Sequence, residues 1–191
     1  MKGWVTMSYR ETYQTILEEC ETALGKVKED DVKQFIELLL ESEKVFFIGV
    51  GRVKLAVEAF AKRLAHLGIA TYIVGQITEP AMTDKDMLVV ASGSGESLVP
   101  VAIARKAKQI GGKVVHLGSN PQSSLAPITD LMVRIPVQTK LYLADEIQSQ
   151  QPMSSLFEQT LLLLGDTIAK MIVEKEQIEL KTLWQFHANL E

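Results

Sequence analysis

Apolar residues in the first forty positions recur at helical spacing. Between Tyr9 and Leu24 they return every three or four residues, which predicts an amphipathic helix. The same pattern returns over residues 32–40, after a polar break in which Asp30 or Asp31 is expected to cap the second helix. Each helix therefore has one apolar face to pack against the rest of the chain.

From residue 44 onward, short apolar runs alternate with helical periodicity. The runs are rich in β-branched and aromatic residues and predict buried strands at 44–49, 70–74, 86–91, 113–117 and 131–135. The helical segments fall at 55–67, 98–110, 153–173 and 177–186. Strands alternating with helices form right-handed βαβ units, so the pattern predicts an α/β fold with a parallel sheet.

The chain has 191 residues, which suits one well-buried domain. We expect a single domain over 1–191, with N-terminal helices at about 8–41, an α/β core at about 44–136 and C-terminal helices and a tail at about 152–191. No internal linker or repeat interrupts this organisation.

Charge and cysteine content narrow the expected setting and partners. The net charge of −4 does not indicate a nucleic-acid partner, and the lone Cys20 cannot form an intramolecular disulfide. No run approaches the roughly 18 apolar residues of a membrane helix, and residues 1–10 lack a signal-peptide core. We therefore expect a cytoplasmic protein with neither a nucleic-acid nor a membrane partner.

A serine- and glycine-rich loop follows the third predicted strand and opens a helix. In this segment, SGSGES, the hydroxyl groups of Ser92, Ser94 and Ser97 can donate hydrogen bonds, and the glycines allow backbone amides to approach a ligand. The start of the helix adds unpaired amides and a positive dipole end. These features favour a phosphate site over the alternative, a simple helix cap, which needs only one serine.

The loop after the first strand, Gly49-Val50-Gly51-Arg52, superficially matches a dinucleotide-binding turn. The third glycine of that motif is replaced by Lys54, and no acidic residue clearly ends the second strand, so we expect no nucleotide cofactor. Arg52, beside Gly51, is either an anion ligand or a solvated arginine at the helix start. The pattern leaves both interpretations open.

Four segments together resemble one known family. SGSGES, IPVQTK (135–140), QPMSSLFEQ (151–159) and the terminal HANLE (187–191) are similar to the 6-phospho-3-hexuloisomerases, which contain a sugar isomerase (SIS) domain. The resemblance covers nearly the whole chain. It implies a three-layer α/β/α sandwich with a five-stranded, flavodoxin-like parallel sheet, and a homotetramer whose active sites are completed by neighbouring subunits.

The resemblance also implies an activity. The family interconverts D-arabino-hex-3-ulose 6-phosphate and D-fructose 6-phosphate through an enediolate, in the ribulose monophosphate route of formaldehyde fixation. Two alternatives stay open: an SIS isomerase acting on another sugar phosphate, and a module that binds a sugar phosphate without converting it. The first is motivated by Val53 and Lys54, which replace the family's usual serine and glycine.

An enediolate mechanism needs a base and a proton shuttle. Glu158, in an otherwise apolar helix, is the candidate base, although a lone glutamate on a helix is usually exposed. His187 is the candidate shuttle across a subunit boundary, although a histidine in a tail is usually a surface residue. We expect Lys54 to supply a charged phosphate ligand, and Glu96 is a lesser candidate for contacting sugar hydroxyls.

Metal chemistry is not expected from the histidine spacing. His66, His116 and His187 lie far apart in the sequence and form no compact ligand cluster. His66 is expected to end a helix, where it interacts with the helix dipole. His116 falls within a strand and is expected in the core or on a sheet face.

Overall fold

The computed structural model describes residues 8–190. Two helices precede the first strand of the sheet. Helix α1 spans Tyr9–Leu24 and starts with a capping box, in which the Glu11 amide donates to Ser8 Oγ at 3.2 Å and the Ser8 amide donates to the Glu11 carboxylate at 2.6 Å. Reciprocal satisfaction of these donors explains why the helix begins at Tyr9. The predicted bounds of α1 are confirmed.

Helix α2 spans Glu29–Glu41 and begins earlier than its hydrophobic pattern suggests. The expectation that Asp30 or Asp31 caps it is wrong, because Lys28 occupies the N-cap without a side-chain bond. Both aspartates instead lie in the first helical turn, where negative charge favours the positive end of the helix dipole. Acidic residues before an apolar run thus marked the correct terminus but not the cap itself.

Five parallel strands follow, in the spatial order β2-β1-β3-β4-β5. They are β1 (Val45–Ile48), β2 (Thr71–Ile73), β3 (Met87–Ala91), β4 (Lys113–Gly118) and β5 (Leu131–Arg134). The helices around them are α3 (Gly51–Ala65), α4 (Leu98–Ile110) and α5 (Ser155–Lys175), with short 3-10 helices at Ala126–Ile128 and Leu180–Phe186. The predicted five-stranded parallel sheet is confirmed.

Alternate residues of the strands face two separate apolar layers. Phe47 packs in the larger layer, with α1, α2, α3 and α5, whereas its neighbour Phe46 packs in the smaller layer against α4. Both faces of the sheet are thus covered, which explains why β1 and β3 are apolar along their whole length. The result is the expected three-layer α/β/α sandwich.

Helices α3 and α5, which carry the candidate site residues Arg52 and Glu158, pack in close contact. Gly165 of α5 lies directly over the Phe60 ring of α3, and a Cβ atom at position 165 would stand 2.6 Å from the Phe60 Cγ atom. The helices therefore approach more closely than any side chain at position 165 would permit. Arg52 and Glu158, in the first turns of α3 and α5, are brought side by side.

The last predicted helix differs from the α-helix that its periodicity suggests. Helix α5 ends at Lys175, Gln177 adopts a positive φ of 52°, and the following helix is a 3-10 helix that contains no buried residue. A segment without a buried face gains little from α-helical amphipathicity. The pattern at 177–186 therefore reflects a tail lying on the surface.

Candidate active site

A cavity of about 460 Å³ opens beyond the carboxyl ends of β1 and β3, between the two glycine-containing loops. Ligands in open parallel sheets bind in this crevice. The structure brings five of the residues predicted for substrate binding, and the predicted base, to this one cavity: Gly51, Arg52, Ser92, Ser94, Ser97 and Glu158.

The serine loop is shaped by a close approach to the segment after β4. Gly95 adopts φ +66°, and a Cβ atom there would lie 2.3 Å from the Ser123 Cβ atom, so both conformation and space require glycine. Within the loop, Ser92 Oγ accepts from the Gly95 amide at 3.2 Å and Ser94 Oγ accepts from the Glu96 amide at 3.3 Å. The tight turn places Ser92, Gly93 and Ser94 along the cavity wall.

Ser97 bears on the alternative that the serines merely cap a helix. It occupies the N-cap of α4, yet its side chain makes no capping hydrogen bond and instead accepts from Ser92 Oγ at 3.4 Å. Ser97 lines the cavity, and its hydroxyl group is not used to cap the first amides of α4. This arrangement favours an anion site over a cap.

Arg52 and Glu158 form the charged wall of the cavity. Arg52 Nε donates to Glu158 Oε2 at 2.5 Å, and Ser154 Oγ donates to Glu158 Oε1 at 3.0 Å. Glu158 is only 8% exposed, so the alternative of a solvent-facing glutamate is wrong. Arg52 is solvated, with 69% of its side chain exposed, but it is not free, because it is paired with a carboxylate beside the cavity.

Lys54 does not reach the cavity. Its ammonium group lies 3.6 Å from Glu58 on the next turn of α3, and Val53 occupies the cavity wall instead. Each helical step turns the side chain by about 100°, so two positions after Arg52 the chain faces nearly the opposite direction. The expectation that Lys54 is a phosphate ligand is not supported within its own chain.

His187 lies at the other end of α3 from the cavity. Its ring stacks on His66 with centroids 5.4 Å apart, and His66 is the C-cap of α3. A 15-residue helix is about 22 Å long, so this docked tail holds His187 far from its own chain's serine loop. Phe186 fixes the tail further by packing against Gly68, while Glu191 of the HANLE segment lies outside the described residues.

Glu96 faces the segment after β4 rather than the cavity. Its carboxylate accepts from the Ser124 amide at 2.7 Å and from Ser124 Oγ at 2.6 Å. These two bonds hold the pKa of Glu96 below its usual value. The residue ties the serine loop to its neighbour, which replaces its expected contact with sugar hydroxyls.

A segment between β5 and α5 supplies cavity residues to which the sequence pattern assigned no role. Its lining residues are Thr139, Lys140, Tyr142, Met153 and Ser154. Thr139 and Lys140 belong to the IPVQTK segment, so that motif was the signal available for them. Tyr142 and Met153 both adopt positive φ, at 50° and 57°, which no pattern in the sequence indicates.

Glu146 holds this segment in shape from inside. Its buried carboxylate accepts from the Thr139 amide at 3.1 Å, Thr139 Oγ1 at 2.9 Å and the Leu143 amide at 3.0 Å. A carboxylate that gathers three donors constrains the turn containing Lys140 and Tyr142. These two residues are thereby fixed at the rim of the cavity.

The two cationic side chains that line the cavity differ in whether they form an ion pair. Arg52 is paired with Glu158, whereas Lys140 takes part in no ion pair in the part of the chain that the structure describes. Within residues 8–190, no group of three or more His, Cys, Asp or Glu is arranged to hold a metal ion. In the same range, no helix has the length and apolar character needed to cross a membrane.

Comparison with known proteins identifies the class. The family model described as SIS domain matches residues 38–165, so the chain belongs to the SIS-domain family. Among its relatives, the 3-hexulose-6-phosphate isomerase of Bacillus subtilis is 36% identical over 185 residues, which cover 97% of this chain and 100% of that protein. The enzyme of the same name from Mycobacterium gastri is 34% identical, covering 92% and 88% of the two chains.

A solved structure shares both the fold and the size of the chain. The protein from Methanococcus jannaschii, whose structure was reported to infer a 3-hexulose-6-phosphate isomerase function, aligns with a TM-score of 0.81 at 26% identity. The alignment covers 95% of this chain and 99% of that one. The resemblance noted in the four sequence segments is therefore confirmed.

Proposed function

We propose that this protein is an isomerase that interconverts D-arabino-hex-3-ulose 6-phosphate and D-fructose 6-phosphate. One observation carries the proposal: the buried carboxylate of Glu158 faces the same cavity as the serine loop. A phosphate group bound at the loop would place the sugar carbons of the same molecule within the cavity. The relatives named above, which act as isomerases of this kind, support that substrate class.

The proposed reaction moves a proton between neighbouring carbons. Glu158 removes the proton from C2 of the 3-ketose, the electron pair forms a C2–C3 double bond, and O3 becomes the enediolate oxyanion. Glu158 then returns the proton to C3, while the hydroxyl proton moves from O2 to O3 and the carbonyl group forms at C2. A single base that serves both carbons satisfies the proton balance without an external reductant.

Arg52 has a role in this scheme because it touches the base. Before substrate binds, its guanidinium group neutralises the Glu158 carboxylate at 2.5 Å. Once Glu158 takes up the proton, Arg52 loses that partner while negative charge develops on the substrate oxygen nearby. We propose that the guanidinium group then stabilises the enediolate.

The hydroxyl proton requires a second group, which we propose to be His187 of a neighbouring subunit. Docking of the tail against His66 keeps this residue at the far end of α3 from its own chain's cavity. The tail also carries large exposed apolar side chains, with Trp184 at 71% and Leu190 at 100% exposure. These features support a homotetramer with shared active sites, acting in the cytoplasm in the ribulose monophosphate route.

Val53 on the cavity wall favours a second candidate function, an SIS isomerase that acts on a different sugar phosphate. Its isopropyl group occupies a position where the family usually provides a serine hydroxyl group. Loss of a hydroxyl group that binds a sugar oxygen changes substrate choice more strongly than loss of an apolar contact. A module that binds without converting remains a third candidate.

The deciding experiment is isomerisation by the purified full-length chain in D₂O. The proposed reaction forms fructose 6-phosphate from the 3-ketose and incorporates solvent deuterium at carbon, because the transferred proton resides on Glu158 in the intermediate. Absence of turnover with this substrate, together with turnover of another sugar phosphate, would select the second candidate. Binding of the substrate without turnover of any sugar phosphate would select the third.

A further inference from the structure

A buried histidine lies beneath the serine loop and outside the cavity. His116 is in β4, is 1% exposed, and its Nε2 atom is 2.9 Å from the backbone oxygen of Ser92. A carbonyl oxygen only accepts, so this partner assigns the hydrogen to Nε2. Gly95 and Gly118 confine the ring, since Cβ atoms there would lie 3.2 Å from its Cε1 atom and 2.2 Å from its Nε2 atom, respectively.

The next two carbonyl groups of the loop are held from the same segment. Gly93 O accepts from the Ser119 amide at 2.8 Å and from the Asn120 amide at 3.2 Å. Ser94 O accepts from the Asn120 side-chain amide at 3.3 Å. Three successive carbonyl groups are therefore drawn toward β4 and the residues that follow it.

This arrangement fixes the direction of the loop amides. In a trans peptide, the N–H of one residue points opposite to the preceding carbonyl group, and residues 8–190 contain no cis peptide bond. With the Ser92 and Gly93 carbonyl groups turned toward β4, the amides of Gly93 and Ser94 point away from it. Both residues line the cavity, and neither amide donates a hydrogen bond within the described part of the chain.

We infer that His116 is a positioning residue, which holds the Ser92 carbonyl group so that the Gly93 amide is aimed at the substrate phosphate. Asn120 does the same for the neighbouring part of the loop. The inference rests on the proposed function, in which this loop binds the phosphate. His116 lies behind the cavity wall, so it acts on the conformation of the loop without touching the substrate.

Burial keeps the ring suited to this role. Removal from water lowers the pKa of His116 below its usual value, so the ring is neutral near pH 7 and no charge is buried beneath the loop. A histidine that only filled space would be replaceable by leucine, because Val114, on the same face of β4, packs in the smaller apolar layer. Replacement by leucine would instead remove one of the two donors to the buried Ser92 carbonyl oxygen and leave the Gly95 amide, at 3.1 Å.

The test measures the dissociation constant for inorganic phosphate and the KM and kcat of isomerisation with the full-length chain. In His116→Leu, phosphate affinity should fall and KM should rise by about tenfold, the effect of one lost buried hydrogen bond, while kcat changes less. His116→Gln should restore most of the loss, because the Gln Nε2 atom is as many bonds from Cβ as the histidine Nε2 atom. Val114→Ala, on the same face of β4, is the matched control for loss of packing alone.

Three outcomes separate the inference from the function on which it depends. If Ser94→Ala weakens phosphate binding but a folded His116→Leu does not, the positioning role is overturned and the phosphate site stands. If neither variant changes phosphate affinity, the phosphate site itself is wrong. If His116→Leu fails to fold, Asn120→Ala decides, because loss of its bond to Ser94 O should weaken phosphate binding several-fold and an unchanged affinity overturns the inference.

Discussion

At the residue scale, the cavity contains one buried carboxylate and two cationic side chains, of which one is paired with that carboxylate and the other is in no ion pair of residues 8–190. Glu158 is held by Arg52 and Ser154, so its two oxygen atoms have fixed positions. Lys140 is held at the rim by the turn around Glu146 and has no ion-pair partner in residues 8–190. This division suggests that one cation serves the base and the other serves the substrate.

Glu158→Gln should lower kcat by about 100-fold or more while KM changes little, because the amide cannot carry the proton but keeps the side-chain volume. Steady-state kinetics and solvent-deuterium incorporation check the prediction together. Asp166→Asn is the matched control, since Asp166 is an exposed acid on the same helix. A kcat equal to that of the parent would remove Glu158 from the mechanism.

Lys140→Met should raise KM for the sugar phosphate by about tenfold, because the cavity loses a cation that has no ion-pair partner in residues 8–190. Lys54→Met is the comparison, since that ammonium group lies against Glu58 and away from the cavity. We expect Lys54→Met to leave KM unchanged in a direct kinetic assay. The reverse ranking of the two variants would restore Lys54 as the phosphate ligand that the sequence suggests.

At the element scale, the site depends on how α3 and α5 pack. Their first turns carry Arg52 and Glu158, and the Gly165–Phe60 contact sets the distance between the helices. Periodicity predicted both helices but not this contact, because a glycine within an apolar helix shows nothing about which ring lies above it. Helix α3 begins at Gly51, four residues before the start that periodicity predicts. The φ of +58° at Gly51 lets the loop pass directly into the helix.

Gly165→Ala should destabilise the fold by about 1–3 kcal/mol, because the added methyl group overlaps the Phe60 ring. It should also lower kcat by separating Arg52 from Glu158. Chemical denaturation and kinetics test the two effects separately. Thr167→Ala on the exposed side of α5 should show neither effect, and a fully stable Gly165→Ala would show that the helices can move apart freely.

At the scale of the whole molecule, the two proposed catalytic groups of one chain lie apart. Glu158 is at the cavity, whereas His187 is stacked on His66 at the opposite end of α3. A shared site in an oligomer reconciles this separation with a joint role. The predictions of a single domain over 1–191 and of a tetramer remain predictions, and residues 1–7 and Glu191 lie outside the described part.

Mixing two inactive variants tests the shared site. Glu158→Gln and His187→Ala should each have low activity, but unfolding and refolding them together in equal amounts should recover roughly one quarter of the parental activity. This fraction follows because random assembly pairs an intact Glu158 with an intact neighbouring His187 in one site of four. Each variant refolded alone is the control, and no recovery in the mixture would contradict sharing between subunits.

The sequence by itself determined the order of strands and helices, the parallel sheet and the serine loop, because these follow from local periodicity and from residues adjacent in the chain. It also indicated Glu158, through its apolar neighbours and the family resemblance. Only the tertiary structure showed that Arg52 pairs with Glu158, that Lys54 faces away, and that Lys140 and Tyr142 reach the same cavity. These contacts depend on how helices pack and on the direction of the backbone, which no local pattern specifies. Arg52 and Glu158, for example, are 106 residues apart in the sequence.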